Sequence, residues 1–222
     1  RGRDFLSQLK SRVKLPSGIK KINLENVVVR KAVEKDIEGI FHVAASVGKK
    51  SQDPMQGFLM DDYGSDPEGH KNKLKRALEI SDYFYVAEYI EDDYRSVLGF
   101  TFGLPKDVWL GENPGWLDDC YFRPDFDRES LDNFIMLDKI AVLDRFKRQG
   151  IGGLLSRRLI RDIKADGMFD IFEEVIIAPI PNLPSVLFKT KRKFKLASVR
   201  YEWHEGKVMT TLVYHRRLRR DT

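Results

Sequence analysis

The run Lys147-Arg148-Gln149-Gly150-Ile151-Gly152-Gly153 carries the residue types and spacing best suited to chemistry. Glycines at Gly150, Gly152 and Gly153 let backbone N–H groups approach a ligand with no Cβ in the way. Behind them Ile151, Leu154, Leu155, Leu159 and Ile163 keep a helical period, so the glycines open an amphipathic helix. A helix N-terminus offers unpaired N–H donors and a partial positive charge, to which Lys147 and Arg148 add full charges. Ahead of the loop, Phe134 to Val142 is dense in Ile, Leu, Val, Met and Phe, as a largely buried strand is. Strand, basic glycine loop and helix make a cradle for a phosphate-bearing ligand. Standing alone, such a loop also reads as a turn that packs a helix against a strand.

Two familiar phosphate loops are excluded. No Gly-Lys-Ser/Thr follows, so the nucleoside-triphosphate loop is absent. The dinucleotide fingerprint wants G-x-G-x-x-G, and Leu155 stands where its third glycine belongs. That fingerprint also wants an acid at the end of the next strand. Glu173 and Glu174 precede the strand expected at Val175 to Ala178.

The segment resembles the acetyl-CoA-binding core of the GNAT acyltransferase superfamily. The family signature, Gln/Arg-x-x-Gly-x-Gly/Ala, follows the fourth strand and opens a long helix. Here it stands as Lys147 to Gly152, with Lys in the first position, a departure that keeps the charge. Ile140-Ala141-Val142 matches the family's strand ending. EEVIIAPI, then Asn182, Ser185 and Phe194, matches its fifth strand, Asn and short helix ending in an aromatic. The resemblance covers about Asn26 to Leu218. It implies an N-acetyltransferase in which a primary amine attacks acetyl-CoA directly through a tetrahedral intermediate. The implied coenzyme contacts are Ile140, Ala141, Val142, Lys147, Arg148, Gln149, Gly150, Ile151, Gly152, Gly153, Asn182 and Ser185. The backbone N–H of Val142 is the implied oxyanion donor.

Freeing the lone pair of a lysine-like amine, with a pKa near ~10.4, costs roughly 4–5 kcal/mol at pH 7, so a base helps. Asp138 is the candidate, on the fourth strand where many family members carry Glu. Strand alternation puts it on the face of Ile140 and Val142, with Lys139 opposite. An Asp that only caps or pairs at a strand edge is the plainer reading. Where the family usually offers a Tyr as general acid, this chain has Phe188 and Lys189. Lys189 is the stand-in, although a thiolate leaves tolerably without an acid.

The elements that must position these residues follow the family's order. Val27 to Lys31 reads as a strand, Glu34 to Val47 and His70 to Ser81 as helices, with a loop from Gly48 to Gly69 between them. Tyr83 to Ile90 and Val97 to Leu104 form a hairpin around Glu91-Asp92-Asp93. Ala197 to His204 and Val208 to His215 close the sheet around Glu205-Gly206-Lys207. The expected fold is α+β: a mixed, mostly antiparallel sheet of about six to seven strands flanked by helices. Residues 1–25 are read as a basic helical extension, with Phe5, Leu6, Leu9 and Val13 at helical spacing, and residues 26–218 as the acyltransferase domain.

Pro105 to Asn133 is a long insertion between the third and fourth strands, and loops of that length are usually functional or disordered. Its aromatics argue against disorder. It holds eight acids against three bases, a net of −5 in a chain of net +5. Asp118, Asp119, Trp116 and Tyr121 are therefore the expected acceptor-binding residues of an acidic, aromatic lid that attracts a cationic amine. A solvated flap is the plainer reading.

At 222 residues, 42% apolar and 33% charged, the chain suits a soluble globular protein, and no apolar run approaches a membrane span. No signal peptide is visible. Cys120 is the one cysteine, so no internal disulfide forms, which fits a cytoplasmic setting. The four histidines lack metal-ligand spacing, and no metal is expected. The acceptor is read as a small-molecule amine ahead of a lysine or N-terminal amine of a protein, with no membrane partner and a homodimer left open. A non-catalytic acyl-CoA-binding module is the alternative. Nucleic-acid binding through the basic ends is the weaker third reading.

Overall fold

The computed structural model describes residues 21–48, 53–204 and 206–219. Residues 1–20 of the expected N-terminal extension, which hold its apolar positions, lie outside the described residues. Eight strands are present: β1 Val27–Lys31, β2 Tyr83–Glu91, β3 Tyr94–Pro105, β4 Cys120–Phe122, β5 Phe134–Val142, β6 Asp170–Ala178, β7 Lys195–His204 and β8 Lys207–Arg217. The α-helices are α1 Ile37–Ser46, α2 Pro67–Ile80, α3 Lys106–Glu112, α4 Ile151–Ala165 and α5 Leu183–Lys191. The strands hydrogen-bond in the order β1-β2-β3-β5-β6-β8-β7-β4, with β5 and β6 parallel. The described residues divide into two compact units, 21–48, 59–102 and 139–160 in the first, and 53–58, 103–138, 161–204 and 206–219 in the second.

In the first unit, β2 is buried along Tyr83 to Tyr89, as expected of a strand covered on both faces. Helix α1 buries Ile37, Ile40, Phe41, Val43 and Ala44. Helix α2 begins at Pro67, three residues before the expected His70. Asp66 accepts a hydrogen bond from the Gly69 N–H at 3.0 Å, and Pro67 supplies a preset first-turn φ. Helix α4 buries Ile151, Leu155 and Leu159 in an i, i+4 stripe. A Cβ at Gly99 would stand 2.8 Å from the Ala141 carbonyl and 3.2 Å from Leu155, so this close approach of β3 needs glycine. The Leu143 N–H donates to the Leu98 carbonyl at 2.8 Å, and the Thr101 hydroxyl to the Lys139 carbonyl at 3.0 Å. These bonds fix the end of β5 beside β3.

In the second unit, β5 and β6 pair in parallel from Phe134↔Asp170 to Leu137↔Glu173. β6 starts five residues before the expected Val175, so Glu173 and Glu174 lie inside the strand. Each has a buried partner that composition alone does not reveal. The insertion at Pro105 to Asn133 is ordered as α3, the short strand β4 and a 3-10 turn at Arg128–Leu131. β4 pairs antiparallel with β7, Cys120 opposite Arg200, and supplies the strand beyond the six or seven expected. Trp116 is 1% exposed, with ring centroids 5.8 Å from Phe134, 5.9 Å from Phe172 and 6.2 Å from Trp109. The insertion's tryptophans are core residues, held by the same burial that orders the segment.

Candidate active site

The cradle is built within the first unit. β5 ends at Val142, a 3-10 turn follows at Asp144–Phe146, and α4 starts at Ile151. Between them Arg148 has φ +64° and Gly150 φ +94°. Two left-handed residues so close together turn the backbone sharply, and the second is a glycine as the geometry favours. A Cβ on Gly150 would also meet Leu24 at 3.1 Å. The Gly153 and Leu154 N–H groups both donate to the Gly150 carbonyl, at 2.9 and 3.1 Å. The amides of Ile151 and Gly152 precede these bonds, in the part of a helix that has no internal acceptor. Lys147 pairs with Asp144 at 2.8 Å, and the Gln149 side-chain oxygen accepts from the Ile22 N–H at 2.8 Å. These two side chains brace the loop, while Arg148 stands exposed beside it. Ile140, Ala141, Val142 and Lys147 to Gly153 thus form one continuous strand end, loop and helix start.

The remaining expected residues belong to the second unit. Asn182 is buried and caps α5, its side-chain oxygen accepting from the Ser185 N–H at 3.3 Å. Its amide donates to the Phe58 carbonyl at 2.8 Å. Asn182 and Ser185 are therefore brought together by a helix cap. Asp118 and Asp119 are exposed. Tyr121 is 68% exposed and meets Tyr201 edge-on at 5.9 Å. The enclosed Trp116 is not gathered with Tyr121, because its indole points into the core and donates to Glu174 at 2.8 Å.

Strand alternation separates the two acids of β6. Glu173 faces α5, where it makes an ion pair with Lys189, each side chain 5% exposed or less. Burial pulls the Lys189 ammonium down to about 7. Glu174 takes the opposite face, the face of Phe172 and Met136, and meets the Arg200 Nε at 3.1 Å. Arg200 also pairs with Glu202. Glu174 is raised above the ordinary glutamate value, chiefly by burial and also by the nearby Glu202 and Asp138 carboxylates, against the lowering effects of Arg200 and Trp116. The Cys120 thiol is pushed up to about 12, mostly by burial, so it stays protonated and unreactive.

Glu174, Arg200, Glu202 and the Glu173–Lys189 pair were not expected from sequence. The available signal was Glu173-Glu174 set directly against VIIA, since adjacent acids inside a strand must each face a side that can accommodate them. Among the described residues no helix is long and apolar enough to cross a membrane.

No family profile matches the sequence, and no curated protein matches it by sequence. Solved structures do match the fold. A Desulfovibrio desulfuricans protein assigned to the GNAT family of acetyltransferases aligns with a TM-score of 0.55 at 15% identity, over 86% of this chain and 98% of its own. The PaiA N-acetyltransferase of Thermoplasma acidophilum, in complex with coenzyme A, aligns at 0.53 and 15% identity over 86% and 98%. The polyamine N-acetyltransferase of Drosophila melanogaster, which forms N-acetylagmatine, aligns at 0.58 and 10% identity over 86% and 100%. The chain has the GNAT fold: a mixed, mostly antiparallel sheet flanked by helices.

Proposed function

We propose that this chain is an N-acetyltransferase that moves an acetyl group from acetyl-CoA to a primary amine by direct attack. The observation that carries the reading is the cradle, where left-handed Arg148 and Gly150 lead directly into the first turn of α4. Those groups suit a pyrophosphate, because backbone N–H groups at a helix N-terminus and a neighbouring cation attract anions. Acetyl-CoA, when bound, supplies an acyl group activated as a thioester. The amides of Ile151 and Gly152 hold its phosphates. The Val142 N–H donates to the carbonyl oxygen as negative charge develops there. Asp138 accepts the proton of the attacking ammonium group. Asp118 and Asp119 draw a cationic acceptor toward the site, with Trp116 acting only through Glu174. A small cationic amine is the acceptor class that this charge favours, and agmatine-like compounds head the panel to assay.

The test is thiol release from acetyl-CoA with a panel of amines, alongside calorimetric binding of coenzyme A. Amine-dependent release supports the reading. Coenzyme binding without turnover identifies a non-catalytic acyl-CoA-binding module. Absence of binding overturns the cradle itself.

A further inference from the structure

Two carboxylates sit on one face of neighbouring parallel strands. The register Met136↔Phe172 and Leu137↔Glu173 is followed at once by Asp138 on β5 and Glu174 on β6. Residues two apart on a strand share a face, so Asp138 follows Met136 and Glu174 follows Phe172 onto the same side. The paired register ends at Leu137↔Glu173, one residue before both acids, and the Asp138 carboxylate still raises Glu174 electrostatically.

Glu174 is held in place. The Trp116 indole N–H donates to Oε1 at 2.8 Å, the Arg200 Nε lies 3.1 Å from Oε1, and the Arg200 Nη2 donates to Oε2 at 3.4 Å. Its side chain is 20% exposed and that of Arg200 10%. The charged groups around it come from every neighbouring element. β5 brings Asp138, β7 brings Arg200 and Glu202, and Cys120 of β4 and Asp119 before it complete the cluster. β8 presents Val213 opposite Glu174, which does not titrate. One guanidinium thus serves two carboxylates, Glu174 and Glu202.

We propose that Glu174 is a proton-holding residue that acts through Asp138, receiving the proton that Asp138 takes from the acceptor amine. The ammonium N–H bond breaks as an O–H bond forms on Asp138, which leaves the lone pair on nitrogen for attack. The Asp138 O–H bond then breaks as an O–H bond forms on Glu174, and Asp138 returns to its anionic state. Burial and the like charges of Glu202 and Asp138 raise the proton affinity of Glu174, which suits it to hold that proton. The inference rests on the acetyl-transfer reading for the origin of the proton.

The experiment is the pH profile of amine-dependent turnover together with carbon-detected NMR titration of the glutamate carboxyls. Glu174→Gln is expected to lower kcat about tenfold at pH 7, to move the acid limb of the profile, and to remove one glutamate signal that titrates above the ordinary value. Trp116→Phe, which deletes the indole donor and keeps an aromatic ring in the core, is expected to move that signal and the limb to higher pH. Asp138→Asn is expected to move the signal lower, because a like charge is lost. Adding Glu174→Gln to Asp138→Asn is expected to cost no more than Asp138→Asn alone, since the two act in series. An active parent whose acid limb is unmoved by Glu174→Gln overturns the inference while leaving acetyl transfer standing. So does a Glu174 signal that ignores Asp138→Asn. A parent that turns over no amine overturns acetyl transfer, and with it the proton's source.

Discussion

Asp138 and Lys189 are the residues whose chemistry is most exposed to test. If Asp138 accepts the amine's proton, Asp138→Asn is expected to lower kcat at pH 7 about a hundredfold without changing coenzyme binding. The deficit is expected to shrink above pH 9, where the amine loses its own proton, and a rate profile across pH measures it. Equal rates in variant and parent at pH 7 would remove Asp138 from the mechanism. Lys189 makes a different prediction. Its folded value of about 7 lies below the unfolded lysine value near ~10.4, so between these limits the unfolded chain binds a proton that the folded chain does not. Stability therefore rises with pH across that window, by at most about 1.4 kcal/mol per pH unit. Urea denaturation from pH 7 to 10 is expected to show that slope, and the joint variant Lys189→Met with Glu173→Gln to flatten it. A parent with level stability over the window would mean that Glu173 keeps Lys189 charged.

At the scale of elements, the cradle and the insertion carry separate predictions. Gly152→Val adds a branched side chain at the first turn of α4 and is expected to weaken coenzyme A binding at least tenfold, with circular dichroism unchanged. Unaltered affinity in calorimetry would place the coenzyme elsewhere. The insertion, pinned to β7 by β4, carries Asp118 and Asp119 on exposed positions. Converting both to Asn is expected to raise the KM for a cationic amine, more at low salt than at high salt, because screening weakens exposed charges. A KM that does not change at either salt would leave these acids as solvated surface.

Across the whole molecule, a ligand that binds only the folded chain stabilises it by mass action. Acetyl-CoA at a hundredfold excess over its Kd contributes about 2.7 kcal/mol, which for a chain of this size raises Tm by roughly 5–10 °C. A thermal scan with and without coenzyme measures this, and the shift is expected to vanish in Gly152→Val. An unshifted parent would argue against coenzyme binding altogether.

Much of this architecture is local and therefore readable along the chain. The strand at Phe134 to Val142, the left-handed turn at Gly150 and the stripe Ile151, Leu155 and Leu159 depend on periodicity and on which residues tolerate positive φ, properties each segment carries itself. The cap at Asp66 is equally local, an Asp side chain accepting from Gly69 ahead of a first-turn proline. Trp116, Glu173, Glu174 and Arg200 are another matter. An aromatic beside acids in an insertion looks like a solvent-facing lid until β4 pairs with β7 and encloses it. Two adjacent glutamates look like a strand's exposed prelude until one meets Lys189 and the other meets Trp116 and Arg200. The buried charges of β6 are stabilised by partners distant in sequence, and those partners meet them only once the strands have registered.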